Sequence, residues 1–220
     1  ALNACGLDSV VDEIANETTP DTSACVESNC QNSEEEEEPG PITDWAGDLE
    51  VNMNSDVDFM ANLQTISGNL NIGPGLDIAL PKLVSIDGDL IITSNDAILT
   101  LSLENLETIG GNLELRINNR MTTLNLPKLS TVAMGVLIVQ NRSLQTINID
   151  SLISSGLSCS VTNNNALQAL NMNSFTTAGL GLEIKDNESL ASCLAQSIGE
   201  QLTSGSATIS GNDSTATCDE

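Results

Sequence analysis

The sequence predicts an all-β fold, a β-solenoid of about eight coils of 20–25 residues, and three recurring features predict it. The first is a short motif with apolar ends: Leu49–Val51, Leu70–Ile72, Leu90–Ile92, Leu113–Leu115, Val136–Ile138, Cys159–Val161, Leu182–Ile184 and Ala207–Ile209, at steps of 21, 20, 23, 23, 23, 23 and 25 residues. A fixed step of this size marks a repeat array. The second is an Asn column, three residues behind the motif in seven units: Asn54, Asn95, Asn118, Asn141, Asn164, Asn187 and Asn212. The third is a second alternating pair: Leu101 with Leu103, Leu124 with Leu126, Ile147 with Ile149, and Leu170 with Met172.

Each feature has a physical reading. Alternation at period two puts both apolar residues of a pair on one face of a strand. Each unit therefore has at least two strands, joined at Asn or Gly corners, and no room for a ten-residue helix. One coil cannot bury its apolar face alone, but stacked coils share a continuous core. At the inter-strand spacing of a sheet, eight coils make a stack roughly 35–40 Å long. The Asn side chain carries both donors and an acceptor, so at each corner it can satisfy inward-turned backbone groups and bond its neighbours along the stack. Further apolar residues follow the second pair, as at Leu106 and Ile109, Leu129 and Val132, and Phe175 and Ala178, and Gly closes units at Gly47, Gly68, Gly88 and Gly111.

The first 44 residues read as a separate acidic cap and linker, with the solenoid over 45–220. Residues 1–48 hold thirteen acidic residues and neither Lys nor Arg, and the first basic residue is Lys82. Residues 6–16 are expected to form a short helix, with Leu7, Val10, Val11 and Ile14 on one face, that caps the first coil. Glu34 to Glu38 run into Pro39-Gly40-Pro41 and read as a solvated linker. They lack the spaced loop and turn Gly of a calcium site.

Composition excludes several functions. The formal net charge is -25, from 31 Asp plus Glu against 6 Lys plus Arg. Nucleic acid is a poor partner, because phosphate binding needs clustered Lys or Arg, and an anionic membrane surface is disfavoured likewise. There is no run of 18 apolar residues, hence no expected membrane insertion. The absence of His removes the commonest general base and neutral metal ligand. Glu50, Glu114 and Glu183 share an outward column but not neighbouring coils, and Asp87 and Asp89 read as turn residues. No Ser, Cys or Lys has a visible activating base, and no phosphate loop or zinc-spaced Cys cluster appears. The chain is expected to be non-enzymatic and to need no cofactor or metal. Its six cysteines and Ala start read as a mature extracellular chain whose leader has been removed.

The ends and outer faces supply the candidate contact residues. Cys193 and Cys218 lie nine residues after Ile184 and Ile209. Equivalent positions on stacked coils lie about 5 Å apart, so a bridge stapling the polar last coil is expected. It would stabilise by roughly 3 kcal/mol on the chain-entropy account. Cys159 is expected to be a buried small apolar residue. Two of Cys5, Cys25 and Cys30 should pair locally, and the third either reaches Cys159 or pairs outside the chain. Flanking the inward second pair, an outward ladder reads Thr100 and Ser102, Thr123 and Asn125, Thr146 and Asn148, Ala169 and Asn171, and suits either a plain exposed strand face or a repetitive partner such as ice or a glycan lattice. Ile91, Leu137 and Val139 should also point outward and, if contiguous, form an apolar patch for a partner. Of the sequons at Asn16, Asn141, Asn187 and Asn212, Asn16 is the best acceptor, because the others are corner residues.

The motif L-x-I-x-x-N, followed by L-x-L-x-x-L-x-x-I-x-G, resembles the receptor L domain of the leucine-rich-repeat type. The stretches LPKLVSIDGDLIITSN (80–95), LENLETIGGNLELRINN (103–119) and LPKLSTV (126–132) carry it best, and it covers roughly residues 45–218. The resemblance implies a right-handed solenoid at a cell surface or outside the cell, binding through variable surfaces. The second unit, with Gly73-Pro74-Gly75 in place of the Asn corner, and the weak last unit depart from the pattern. The functional expectation is a structural or adhesive surface protein contacting other proteins, copies of itself, or cell-wall or matrix glycan. A receptor-like binding module and an ice-binding protein are the alternatives.

Overall fold

In the computed structural model, residues 42–52, 59–76 and 78–218 are described. The chain divides at Pro39–Gly40 into two units. The expected helix over 6–16, the Glu34–Glu38 run, Asn16, Asn54, Cys5, Cys25 and Cys30 lie outside the described residues.

The second unit is a β-solenoid of about seven turns whose coils contribute to three parallel sheets. The eight-stranded sheet is built by the repeated motif: Leu49–Val51, Leu70–Ile72, Leu90–Thr93, Leu113–Arg116, Val136–Val139, Ser158–Thr162, Gly181–Lys185 and Ala207–Ser210. The eight motifs are thus eight rungs joined by seven turns. The second alternating pair lies in the four-stranded sheet, Thr100–Ser102, Thr123–Asn125, Thr146–Asn148 and Ala169–Asn171. Sequence periodicity did not resolve the third side, a seven-stranded sheet of two-residue strands that includes Thr108–Ile109 and Thr131–Val132. Two residues are too few to display an alternation. Their apolar member, Ile109 or Val132, recurs with the repeat, and both are buried.

Register follows the repeat step. Leu113 pairs with Val136, Val136 with Cys159, and Cys159 with Leu182. The inward residues of every interior coil form one continuous core. Cys159 is buried among them as a free thiol, and burial pushes its pKa up to about 12.

The Asn column is an internal ladder. Asn95, Asn118, Asn141, Asn164 and Asn187 are all 0% exposed. The backbone N–H of Asn118 donates to Asn141 Oδ1 (2.9 Å), that of Asn141 to Asn164 Oδ1 (3.0 Å), and that of Asn164 to Asn187 Oδ1 (3.1 Å). Each amide also donates Nδ2 to a carbonyl of the preceding coil, as Asn141 to Leu115 O (3.1 Å) and Asn164 to Ile138 O (2.9 Å). At the short second unit, Asn95 Nδ2 instead reaches Gly73 O and Leu76 O, both at 2.9 Å.

A second ladder escaped sequence reading. Asp48, Asn69, Asp89 and Asn112 stack one behind the other, and each Oδ1 accepts the backbone N–H one coil further on, ending at Gly135. This explains the closing glycines Gly68, Gly88 and Gly111, whereas a Cβ on Gly47 would meet nothing but Gly47 has a left-handed backbone (φ 88°). A Cβ on Gly88 would collide with Asn69 Oδ1, and one on Gly111 with Asp89 Oδ1. The equivalent positions of later coils carry Met134, beside the last acceptor Asn112, then Leu157 and Leu180 beyond the column, exposed by 46%, 40% and 73%.

The residue before each ladder Asn has a left-handed backbone: Ser94 (φ 55°), Ile117 (56°), Gln140 (60°), Asn163 (58°) and Asp186 (54°). A β-branched residue is the least suited to this region. Ile117 is 42% exposed and contributes little packing there. Ile117→Asn should therefore raise stability by about 1 kcal/mol, read as a higher urea midpoint at unchanged slope.

One helix, α1 (Ser192–Glu200), departs from the expectation that no unit has room for one of about this length. It occurs in the 25-residue unit, where the four-stranded sheet would otherwise continue. Leu194, Ala195, Ile198 and Leu202 recur at helical rather than strand spacing; Ala195 and Ile198 are buried and the other two pack on the core edge. Among the described residues no helix is long and apolar enough to cross a membrane.

Candidate contact surfaces

The four-stranded sheet brings the outward ladder into strict register. Thr100, Thr123, Thr146 and Ala169 form one column; Ser102, Asn125, Asn148 and Asn171 form the next. Rungs of such a sheet are about 4.8 Å apart. The two columns differ in chemistry. Asn148 Nδ2 donates to Asn125 Oδ1 (2.8 Å), and Asn125 Nδ2 donates to Ser102 Oγ (2.9 Å), so the Asn column is largely bonded within itself. Thr100, Thr123 and Thr146 bear outward hydroxyls that bond to no described residue. The contact chemistry on this face therefore lies in the Thr column.

Below this sheet lies a cleft of about 340 Å³ between Thr100–Ser102 and the segment Ile78–Pro81. The short second unit causes it. In later coils the N–H that starts the turn reaches across to the next strand, as Leu103 to Asn125 O (3.0 Å) and Leu126 to Asn148 O (2.8 Å). The equivalent bond from Leu80 to Ser102 is not made.

The eight-stranded sheet splits the expected apolar patch. In register, Ile91 faces Glu114, and Glu114 faces Leu137. Glu114 pairs with Arg116 (2.6 Å), so a charged rung separates Ile91 from Leu137 and Val139. On the other side Ser160 and Thr162 are only 8% and 9% exposed, and the next rung carries the Glu183–Lys185 pair (2.7 Å). Leu137 and Val139 thus form the half-buried wall of a narrow neutral strip between two exposed ion pairs. Each such pair contributes about 0–1 kcal/mol to stability. The larger exposed apolar feature is the ridge Met134–Leu157–Leu180. Its sequence signal is large apolar residues 23 apart at positions held by glycine in earlier units.

The corner sequons are not open acceptors in the folded chain. The side chains of Asn141 and Asn187 are buried, and their Nδ2 atoms donate inside the stack, Asn187 to Val161 O at 2.9 Å. Asn212 is partly buried and donates to Ile184 O (2.9 Å).

At the C-terminal end, Cys193 and Cys218 form a disulfide with Cα atoms 6.1 Å apart. Cys193 lies in the first turn of α1. The bridge ties the last coil to the helix. Among the described residues no His, Cys, Asp or Glu cluster is arranged to hold a metal. No protein-family model, no curated protein and no solved structure matches this chain.

Proposed function

We propose that this chain is a non-catalytic extracellular protein of structural or adhesive type, working through contacts made by the flat faces and ends of a stiff solenoid. The in-register Thr column of the four-stranded sheet carries the reading: three outward hydroxyls at fixed spacing, without partners among the described residues. Its partners are other proteins, copies of itself, or a cell-wall or matrix glycan. Similarity of the repeat to the receptor L domain supports the same reading, with a receptor-like module for protein or glycan as its narrower form. The regular Thr spacing also favours a periodic lattice such as ice.

Thr123→Tyr places a bulky ring in the middle of the column without touching the core. Binding to insoluble cell-wall glycan or matrix protein should fall about tenfold, with the melting temperature unchanged. Thermal hysteresis that disappears in the same variant would move the assignment to ice. Unchanged retention together with no hysteresis would remove the sheet face from the function.

A further inference from the structure

The C-terminal end separates two tasks that one cap usually performs. Helix α1 closes the core: it packs against Ala207–Ser210, and a Cβ at Gly199 would meet Ile209 Cδ1 and the Ala207 Cβ. Among the described residues nothing covers the edge of the eight-stranded sheet. Leu182 N–H donates to Ser206 O (2.8 Å) and Asp186 N–H to Ser210 O (2.9 Å), which sets the alternation of the last strand pair. In a parallel pair, N–H and C=O of one residue point to the same side. Ala207 and Ile209 therefore direct both groups away from the stack, and Gly211, past the strand with a left-handed backbone (φ 69°), directs its N–H the same way; these groups bond to no described residue. Open edges are normally blunted by charge, proline or a bulge. Ala207-Thr-Ile-Ser210 has none of these, although the chain carries 31 acidic residues.

We infer that this strand is a self-association edge, on which a second copy of the chain pairs tail to tail. An antiparallel pair centred on Ile209 sets Ile209 against its symmetry mate and Ala207 against Gly211 of the other copy. Ile209 then falls at a fully hydrogen-bonded position and Ala207 accepts the Gly211 N–H of the other copy, and the arrangement closes as a two-fold dimer rather than a fibre. Thr208 faces Ser210 of the other copy, so the strand meets itself without opposing like charges. The neighbouring rung is electrically balanced by its Glu183–Lys185 pair. Asp213, just past the corner, keeps its carboxylate on the Thr215 hydroxyl (2.7 Å) and amide (2.8 Å), which holds its pKa below the ordinary carboxylate value. Leu180, 73% exposed, and Thr208 border a largely polar cleft of about 280 Å³ beside the edge, in which Leu180 is the one exposed apolar contact for the second copy. A four-residue edge is small beside the ~1,600 Å² of a standard interface, so the dimer is weak and concentration-dependent.

The inference rests on the self-contact part of the proposed function and is independent of the Thr column. Sedimentation velocity of the full chain over a concentration series tests it. The unaltered chain should shift from monomer to dimer. T208K/S210K puts Lys opposite Lys at both pairs flanking Ile209 and should weaken dimerisation at least tenfold. T208K/S210E puts Lys opposite Glu at both and should restore it. A monomer at every concentration, or a dimer indifferent to both double variants, overturns the inference. Either result leaves glycan or matrix binding by the four-stranded sheet standing, since no residue there is altered.

Discussion

Asn141→Ala should destabilise the solenoid by about 3–5 kcal/mol, read from urea unfolding followed by far-ultraviolet circular dichroism. The substitution removes one side chain and strands several groups. Asn118 loses the Oδ1 that accepts its N–H at 2.9 Å and its Nδ2 at 3.2 Å, and Leu115 O loses the Nδ2 donor at 3.1 Å. These groups are buried, so water cannot replace the lost partner without opening the corner. Each buried group left unsatisfied costs about 1–3 kcal/mol. Asn165→Ala, the residue directly after Asn164 and exposed, is the matched control and should change stability by less than about 0.5 kcal/mol. Equal effects at the two sites would show that the Asn column is a turn preference rather than a bonded ladder.

Phe175→Ala should cost about 3–5 kcal/mol through the cavity it leaves. Phe175 is fully buried and occupies the position held by Leu106, Leu129 and Leu152 in earlier coils. It lies in the coil next to α1, where the four-stranded sheet ends and a straight stack of leucines no longer fills the interior. Its own coil carries a built-in reporter. Cys159 is a free thiol with no exposed surface, and its pKa of about 12 keeps it protonated at neutral pH. Alkylation requires that coil to open, so peptide-resolved labelling of Cys159 should accelerate a hundredfold or more in the variant, about the factor that 3 kcal/mol implies. Leu129→Ala, at the same position two coils away, should accelerate it far less, because a linear stack transmits opening mainly to nearest neighbours.

The inward half of this molecule was legible in its sequence because inward positions obey a simple constraint. Leu113, Leu115 and Asn118 recur as Val136, Ile138 and Asn141 because each must fit the same place in the next coil. The terminal disulfide was legible for the same reason. Helix α1 was not, since its apolar positions differ from a strand's only over Leu194 to Leu202, a stretch too short to stand out within a repeat. The Asp48–Asn69–Asp89–Asn112 ladder was hidden because its members alternate between two residue types and look like ordinary turn residues. The outer faces were legible only as directions. Sequence placed Ile91, Leu137 and Val139 outward correctly, but their contiguity depended on which rung Glu114 occupies. The silence of the Asn125–Asn148 column as a ligand surface likewise depended on side chains bonding each other.

The two ladders run in opposite senses, and this gives the chain a direction of assembly. In the Asp48 ladder, a coil already in place offers its acceptor to the coil that follows, so each arrival is received at once. In the Asn95–Asn212 ladder each arriving Nδ2 is likewise received by the preceding coil, but the backbone N–H of one coil waits for the Oδ1 of the next. A chain growing from its N-terminus therefore gains docking rungs first through Asn112. Beyond Gly135 it advances with one unsealed corner always at its tip, closed only by the following 23 residues. The later half of the solenoid is in this sense a zip, whose last tooth is Asn212 and whose end stop is the Cys193–Cys218 bridge.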